Sequence, residues 1–356
     1  MPTHRADAPK PPRRVLVLRL SALGDVVMML PLLRQAAESY PEVEWVVVSQ
    51  AHVATLFSAL ERVRFIPAYT HGAHKGLRGL WQLAKTIHAA GPYEGVADMH
   101  SVLRAWIICL FLRLLALPHH LKLAHIDKGR RGKRALCRAH HKLLQPQTHS
   151  MIRYSNVLAQ LGFLVNVPKC SHLIPQHHDL PNILELLAPC RDWVGIAPFA
   201  KHAGKMYPLA YSLAVAQQLY ARGYGLCLFG AGNEESRVLE AWHESMPRSI
   251  NVAALHKGLD WEVALMQQLE VMFTMDSANL HLASWAGIPV VSFWGATHPY
   301  AGFYGWGQAP QHSLGRQDLD CRPCSVYGNR PCRRGDYACK QMPPARIVEV
   351  MLSAIK

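Results

Sequence analysis

The sequence predicts an α/β protein made of two Rossmann-like, doubly wound domains that face a central cleft. Three observations lead there. The chain has 356 residues, enough for two domains of ordinary size. Short, continuously apolar runs alternate with helical stretches, as parallel strands covered on both faces require. That alternation stops in a Pro- and His-rich stretch, Pro168 to Cys190, and then starts again. The expected division is residues 1–178, residues 190–343 and a closing helix at 344–356.

Val15 to Leu20 is the first apolar strand, followed by the loop Ser21-Ala22-Leu23-Gly24-Asp25 and a helix over Met28 to Ser39. Trp45 to Ser49 is the second buried strand, which completes a strand–loop–helix–strand unit. A strand near Phe65, a helix from Leu77 to Ala89, a strand from Gly95 to Met99 and a helix from Leu103 to Leu115 follow. After the Pro/His stretch the pattern resumes with the strands Trp193 to Ala197, Gly225 to Phe229, Val271 to Met275 and Pro289 to Phe293. In two such domains a ligand is expected in the crevice at the carboxyl ends of the strands.

Half of the residues are hydrophobic and 17% are charged, which argues against disorder. Lys and Arg number 38 against 24 Asp and Glu, a net charge of +14 that points to an anionic partner. The polar residues 1–14 contain no apolar core of a secretory signal. The apolar stretch Trp106 to Leu117 is interrupted by Arg113 and falls short of the ~20 residues that span a bilayer. It reads as a core helix, with a membrane-contacting face as the alternative. Nine cysteines, an odd number, fit a reducing compartment. These features together predict a cytoplasmic protein, with its basic patches suited to peripheral contact with an anionic inner leaflet.

Two small-residue turns carry the chemistry. Asp25 sits at a helix N-terminus beyond the first strand, where a carboxylate either serves as a general base or caps the helix. In Met275-Asp-Ser-Ala-Asn-Leu-His-Leu-Ala283 a strand ends at a polar turn that opens another helix. Its first N–H groups and its dipole suit a diphosphate, and an ordinary capped helix is the alternative. The next strand ends in a comparable turn, Trp294-Gly-Ala-Thr-His-Pro299, which brings Thr297 toward the same crevice. No G-x-G-x-x-G or P-loop pattern accompanies them.

These segments resemble glycosyltransferase family 9, the lipopolysaccharide heptosyltransferases. RLSALGDVVMMLPLL (Arg19 to Leu33) is similar to the family's opening motif, and MDSANLHLASWAGIPVVSFWGATHP (Met275 to Pro299) to its donor-site motif. Asp98 to Arg104, His149 to Tyr154, Gly204 to Pro208 and Phe229 to Glu235 fall between them in the family's order. The resemblance implies a GT-B fold, inverting transfer from a nucleotide sugar such as ADP-heptose, and no catalytic metal. It implies Asp25 as the general base, Lys205 facing the donor phosphates and Glu234 holding the donor ribose. It assigns the donor diphosphate and sugar to Asp276, Ser277, Ala278 and His281. The helix from Pro344 to Lys356 is expected, on resemblance alone, to pack back on the first domain.

The basic block Lys128 to Lys142, with Arg104 and Arg153, suits an anionic glycolipid acceptor; a solvated loop is the plainer reading. The block has no interleaved aromatics, which disfavours nucleic acid. Cys321, Cys324, Cys332 and Cys339 hold the number of thiols a structural zinc would take, with free or packed thiols as the alternative. A non-catalytic binding protein for a nucleotide sugar or glycolipid remains the rival to the enzyme.

Overall fold

The computed structural model describes residues 13–58, 60–168 and 177–355. In chain order the elements are β1 (Arg13–Leu18), α1 (Leu23–Val27), α2 (Leu30–Ser39), β2 (Val43–Gln50), β3 (Val63–Ala68), α3 (Gly76–Ala89), β4 (Gly95–Asp98), α4 (Leu103–Leu115), β5 (Lys122–His125), α5 (Arg130–Leu136) and α6 (Ser150–Gln160). They continue with α7 (Leu180–Leu187), β6 (Trp193–Ala197), α8 (Leu209–Ala221), β7 (Gly225–Leu228), α9 (Gly232–Ser245), β8 (Ser249–Asn251), α10 (Leu259–Met266), β9 (Val271–Met275), α11 (Ala278–Ala286), β10 (Val290–Phe293), β11 (Ser313–Leu314) and α12 (Pro344–Ala354). Part of the expected interdomain stretch, residues 169–176, lies outside the described residues.

The chain forms two compact units. The first comprises residues up to Ser21, Leu32–Ile126 and Tyr154–Asn166; the second comprises Ala22–Pro31, Asp127–Arg153 and the residues from Val167 onward. The loop that carries Asp25 therefore belongs with the later half of the chain, as does the basic block.

The first unit holds a five-stranded sheet in the order β3-β2-β1-β4-β5, parallel throughout. Its central strands are buried because Val15 to Leu18 and Trp45 to Val48 offer apolar, largely β-branched side chains to both faces. The second sheet runs β11-β10-β9-β6-β7-β8. Counted from its own first strand this is 3-2-1-4-5-6, the doubly wound order, and the first sheet follows 3-2-1-4-5. In each sheet the strand order reverses between two neighbouring parallel strands, β1 and β4 in one and β6 and β9 in the other. The crevice at the carboxyl ends of such a pair is where this topology binds ligands.

Two expectations change. α12 buries Ile347, Val348, Val350, Met351 and Ala354 in the core of the second unit, beside Val215 and Leu219 of α8 and Phe293 of β10. The apolar face read from the sequence is real, and the core that receives it is the second unit's own. α4 also differs from a core helix. Ala105, Ile108, Cys109 and Leu112 are buried, whereas Leu103, Trp106, Leu110 and Leu114 are each more than half exposed. A helix apolar all round has been given a partner on one face only.

Candidate active site

Site residues of the second unit emerge from the carboxyl edge of four adjacent strands. Lys205 lies in the loop after β6, Glu234 after β7, Asp276 after β9 and Thr297 after β10.

The segment after β9 forms as the sequence predicts. Ser277 is the N-cap of α11 in extended conformation. Its hydroxyl, however, lies 3.1 Å from Thr274 Oγ1 and makes no cap bond. The first N–H groups of α11 thus lack side-chain capping, and they carry the positive end of the helix dipole. Just before them, buried Asp276 pairs with Lys205, Nζ to Oδ2 at 3.0 Å. The lysine stem passes over Gly328, where a side chain would bring a Cβ to 2.6 Å from Lys205 Cγ. Its ammonium also stands 5.8 Å from the centre of the Phe303 ring.

The Asp25 loop lies against α11. Gly24 faces His281 so closely that a Cβ there would sit 2.6 Å from His281 Cδ2. Asp25, in the first turn of α1, accepts from the Ala22 N–H at 3.4 Å. This is the capping geometry the sequence offered as the plainer reading, at a length that makes it weak. Asp25, Lys205, Asp276, Ser277, Ala278 and His281 thus belong to one compact unit.

His281 is almost wholly enclosed. Burial pushes its pKa down to about 3; Asp25 pulls it upward, while His149 and Lys205 push it further down. The ring is therefore neutral near pH 7. His149 is likewise neutral, lowered to about 4 chiefly by burial. Its Nδ1 accepts from the Met151 N–H at 3.2 Å, so Nε2 carries the proton toward the Tyr304 carbonyl at 2.9 Å.

Besides the ion-paired Asp276 Oδ2, two buried polar atoms at this edge, His281 Nδ1 and Thr297 Oγ1, have no hydrogen-bond partner among the described residues. Leaving such a group unpaired costs about 1–3 kcal/mol, so its presence beside a crevice marks a place for a ligand atom. The Thr297 turn is held by a residue the sequence reading did not single out. Buried Arg322 donates through Nε to the Gly295 carbonyl at 2.6 Å and through Nη2 to the carbonyls of Trp294 and Thr297. Its distance along the chain from the turn left no local signal.

Glu234 is exposed in the first turn of α9, and its neighbour Glu235 accepts from the Ala231 N–H at 2.7 Å. Arg153, in α6, holds the loop ends at Thr148 and Asp127: Nε donates to the Thr148 carbonyl at 3.1 Å and Nη1 to the Asp127 carbonyl at 2.8 Å. In the basic block, Lys142 donates to the carbonyls of Asp320 and Arg322, while Arg130, Arg131 and Arg134 are exposed.

The first unit has its own polar cluster at the carboxyl edge of β4 and β5. Asp98, fully buried, accepts from the N–H groups of His100 and Ser101 and from His125 Nδ1 at 2.9, 2.8 and 2.9 Å. Ser101 takes φ +46°, a strained conformation of the kind found at functional loops. Arg104 follows, exposed, in the first turn of α4. The sequence singled out Arg104 for the acceptor and the rest of this segment as a landmark; the bond from His125 required the fold.

The four late cysteines line one small cavity together with Arg322, Arg333, Arg334 and Asp336. Burial pushes the Cys324 and Cys339 thiols up. Among the described residues no group of three or more His, Cys, Asp or Glu is arranged to hold a metal ion. The structural zinc offered as one reading of Cys321, Cys324, Cys332 and Cys339 is accordingly not supported; the four are free thiols, Cys339 buried and the others partly so.

The chain is 26% identical over 330 residues to lipopolysaccharide heptosyltransferase 1 of Pseudomonas aeruginosa, covering 87% of this chain and 86% of that protein. Its fold is similar to a glycosyltransferase family 9 protein of Veillonella parvula, with a TM-score of 0.71 at 18% identity over 96% of this chain and 97% of that one. It is also similar to the ADP-heptose lipopolysaccharide heptosyltransferase II of E. coli, with a TM-score of 0.67 at 20% identity over 96% and 98%. These likenesses establish the GT-B architecture. Residues 81–331 match the family described as glycosyltransferase family 9 (heptosyltransferase), a span that takes in Lys205, Asp276, His281 and Thr297, and the chain belongs to that family.

Proposed function

We propose that this glycosyltransferase moves heptose from ADP-heptose, with inversion, onto a lipopolysaccharide-core acceptor at the cytoplasmic face of the inner membrane. The observation that carries the reading is the gathering of Asp25, Lys205, Asp276, Ser277 and His281 in one compact unit at the carboxyl edge of its sheet.

Asp25 takes the proton from the attacking acceptor hydroxyl. The resulting oxygen nucleophile bonds to the anomeric carbon as the bond from that carbon to the diphosphate oxygen breaks. ADP leaves, and the configuration inverts. Negative charge develops on the departing diphosphate, where Lys205, the uncapped start of α11 and the Thr297 hydroxyl meet it. Glu234, exposed at the start of α9, takes the ribose. Ala278 and His281 bound the donor's sugar and diphosphate, with His281 neutral beside the base. Arg104 and the basic loop that Arg153 supports contact the anionic acceptor. No step requires a metal.

The test combines the purified protein, ADP-heptose and a heptose-deficient lipopolysaccharide core, and follows ADP release. The wild type is expected to turn over, and Asp25→Asn to lose about 10²–10⁴-fold in turnover while retaining the donor-induced rise in melting temperature. Donor-induced stabilisation without transfer to any acceptor would establish a binding protein instead. Stabilisation by GDP- or UDP-linked sugars and not by ADP-heptose would reassign the donor.

A further inference from the structure

Beyond Arg104, and Trp106 where it stacks on His125 at 4.8 Å and donates to Ser101 Oγ, the outward face of α4 takes no part in the site described. Leu103, Trp106, Leu110, Leu114 and, just beyond the helix, Leu117 are 76%, 53%, 55%, 52% and 69% exposed. Their spacings of three and four residues set them in one stripe along the helix. Single exposed leucines are ordinary; a continuous apolar stripe with an aromatic in it marks an interaction surface.

Charge selects the occupant. α4 exposes Arg104 and Arg113, and α3, packed beside it, exposes Arg78 and Lys85; neither helix carries a carboxylate. From residue 62 to residue 126 the only acids are Glu94 and Asp98, and Asp98 is buried against His125. A second copy of the chain would set these cations against their own images. An anionic lipid surface pairs with them and at the same time admits the leucines to the acyl boundary, with Trp106 at headgroup level. Among the described residues no helix is long and apolar enough to cross a membrane, so the contact is one of a helix lying in the interface.

We propose that α4 docks the protein onto an anionic phospholipid bilayer through the Leu103–Leu117 stripe, with Arg113 and the neighbouring cations engaging the headgroups. The proposal deepens the reading above by naming the surface that meets the membrane, and it rests on that reading for a lipid-borne acceptor.

The experiment is co-sedimentation of the full chain with vesicles of phosphatidylcholine alone or of equal parts phosphatidylcholine and phosphatidylglycerol. Wild-type protein is expected on the anionic vesicles and to be released by raised salt. The double variant Leu110→Gln/Leu114→Gln, at exposed positions that leave melting unchanged, should partition about tenfold less, and Arg113→Glu should also weaken binding. Equal binding by the wild type and the double variant overturns the proposal, as does absence of wild-type binding to either vesicle. A wild-type dimer in light scattering that the double variant dissociates also overturns it, in favour of a second copy. Transfer to a delipidated, soluble core by the double variant should equal that of the wild type. Loss of all transfer by both proteins would refute the heptosyl reading while leaving the vesicle result to stand or fall separately.

Discussion

At Gly24 the absent side chain is what allows α1 to lie against α11. Gly24→Ala sets a methyl carbon 2.6 Å from His281 Cδ2, and that imidazole is enclosed on all sides. Overpacking of this kind costs about 1–3 kcal/mol, so the midpoint of urea unfolding should fall and turnover should fall with it as Asp25 moves. Thr297 makes the opposite case. Its hydroxyl is buried without a partner, so Thr297→Val should hold or raise the melting temperature. On the proposed reading it should also weaken donor binding about 2- to 12-fold by titration, the worth of one hydrogen bond. The Asp25 loop and the Met275–Ala283 turn stood out because each follows a strand end directly, and Lys205 was named only through the family resemblance. Arg322 did not stand out. Its partners are backbone carbonyls about 25 residues away, and no pattern of residue types records a bond to a carbonyl.

At the scale of elements, the long strands and helices followed from apolar runs and periodicity. The strands that escaped notice are short ones on or near sheet edges. β5 reads Lys-Leu-Ala-His and β11 has two residues, so neither offers the continuous apolar run of a central strand. α12 shows what periodicity leaves open, since an apolar face states that a helix is covered and is silent on what covers it. Met351 is fully buried in the second unit's core. Met351→Ala should therefore cost about 2–5 kcal/mol in denaturant unfolding, the loss for a truncated core side chain. A cost near zero would mean that α12 contributes little to that core.

For the molecule as a whole, buried neutral histidines tie stability to pH. Burial lowers His281 to about 3 and His149 and His298 to about 4, against an ordinary value near 6.5. As pH falls below 6.5 the unfolded chain takes up protons that the folded protein refuses, so stability is complete above that value and declines toward pH 4. Each histidine contributes a slope of at most about 1.4 kcal/mol per pH unit. Melting temperatures measured from pH 7.5 to pH 5 should fall accordingly, and His298→Asn should flatten the curve. A profile unaffected by the substitution would exclude His298 from that dependence.

The second unit draws on three separate stretches of the chain, and residues 22–31 leave the ribosome some 250 residues ahead of the α11 face they cover. The first unit has all its parts once Asn166 has emerged, whereas the second must wait for α12. Such long-range closure is slow and leaves apolar surface open in the interval. Nascent chains stalled short of residue 344 should therefore be protease-resistant in the first unit alone and should occupy chaperones through the unfinished remainder.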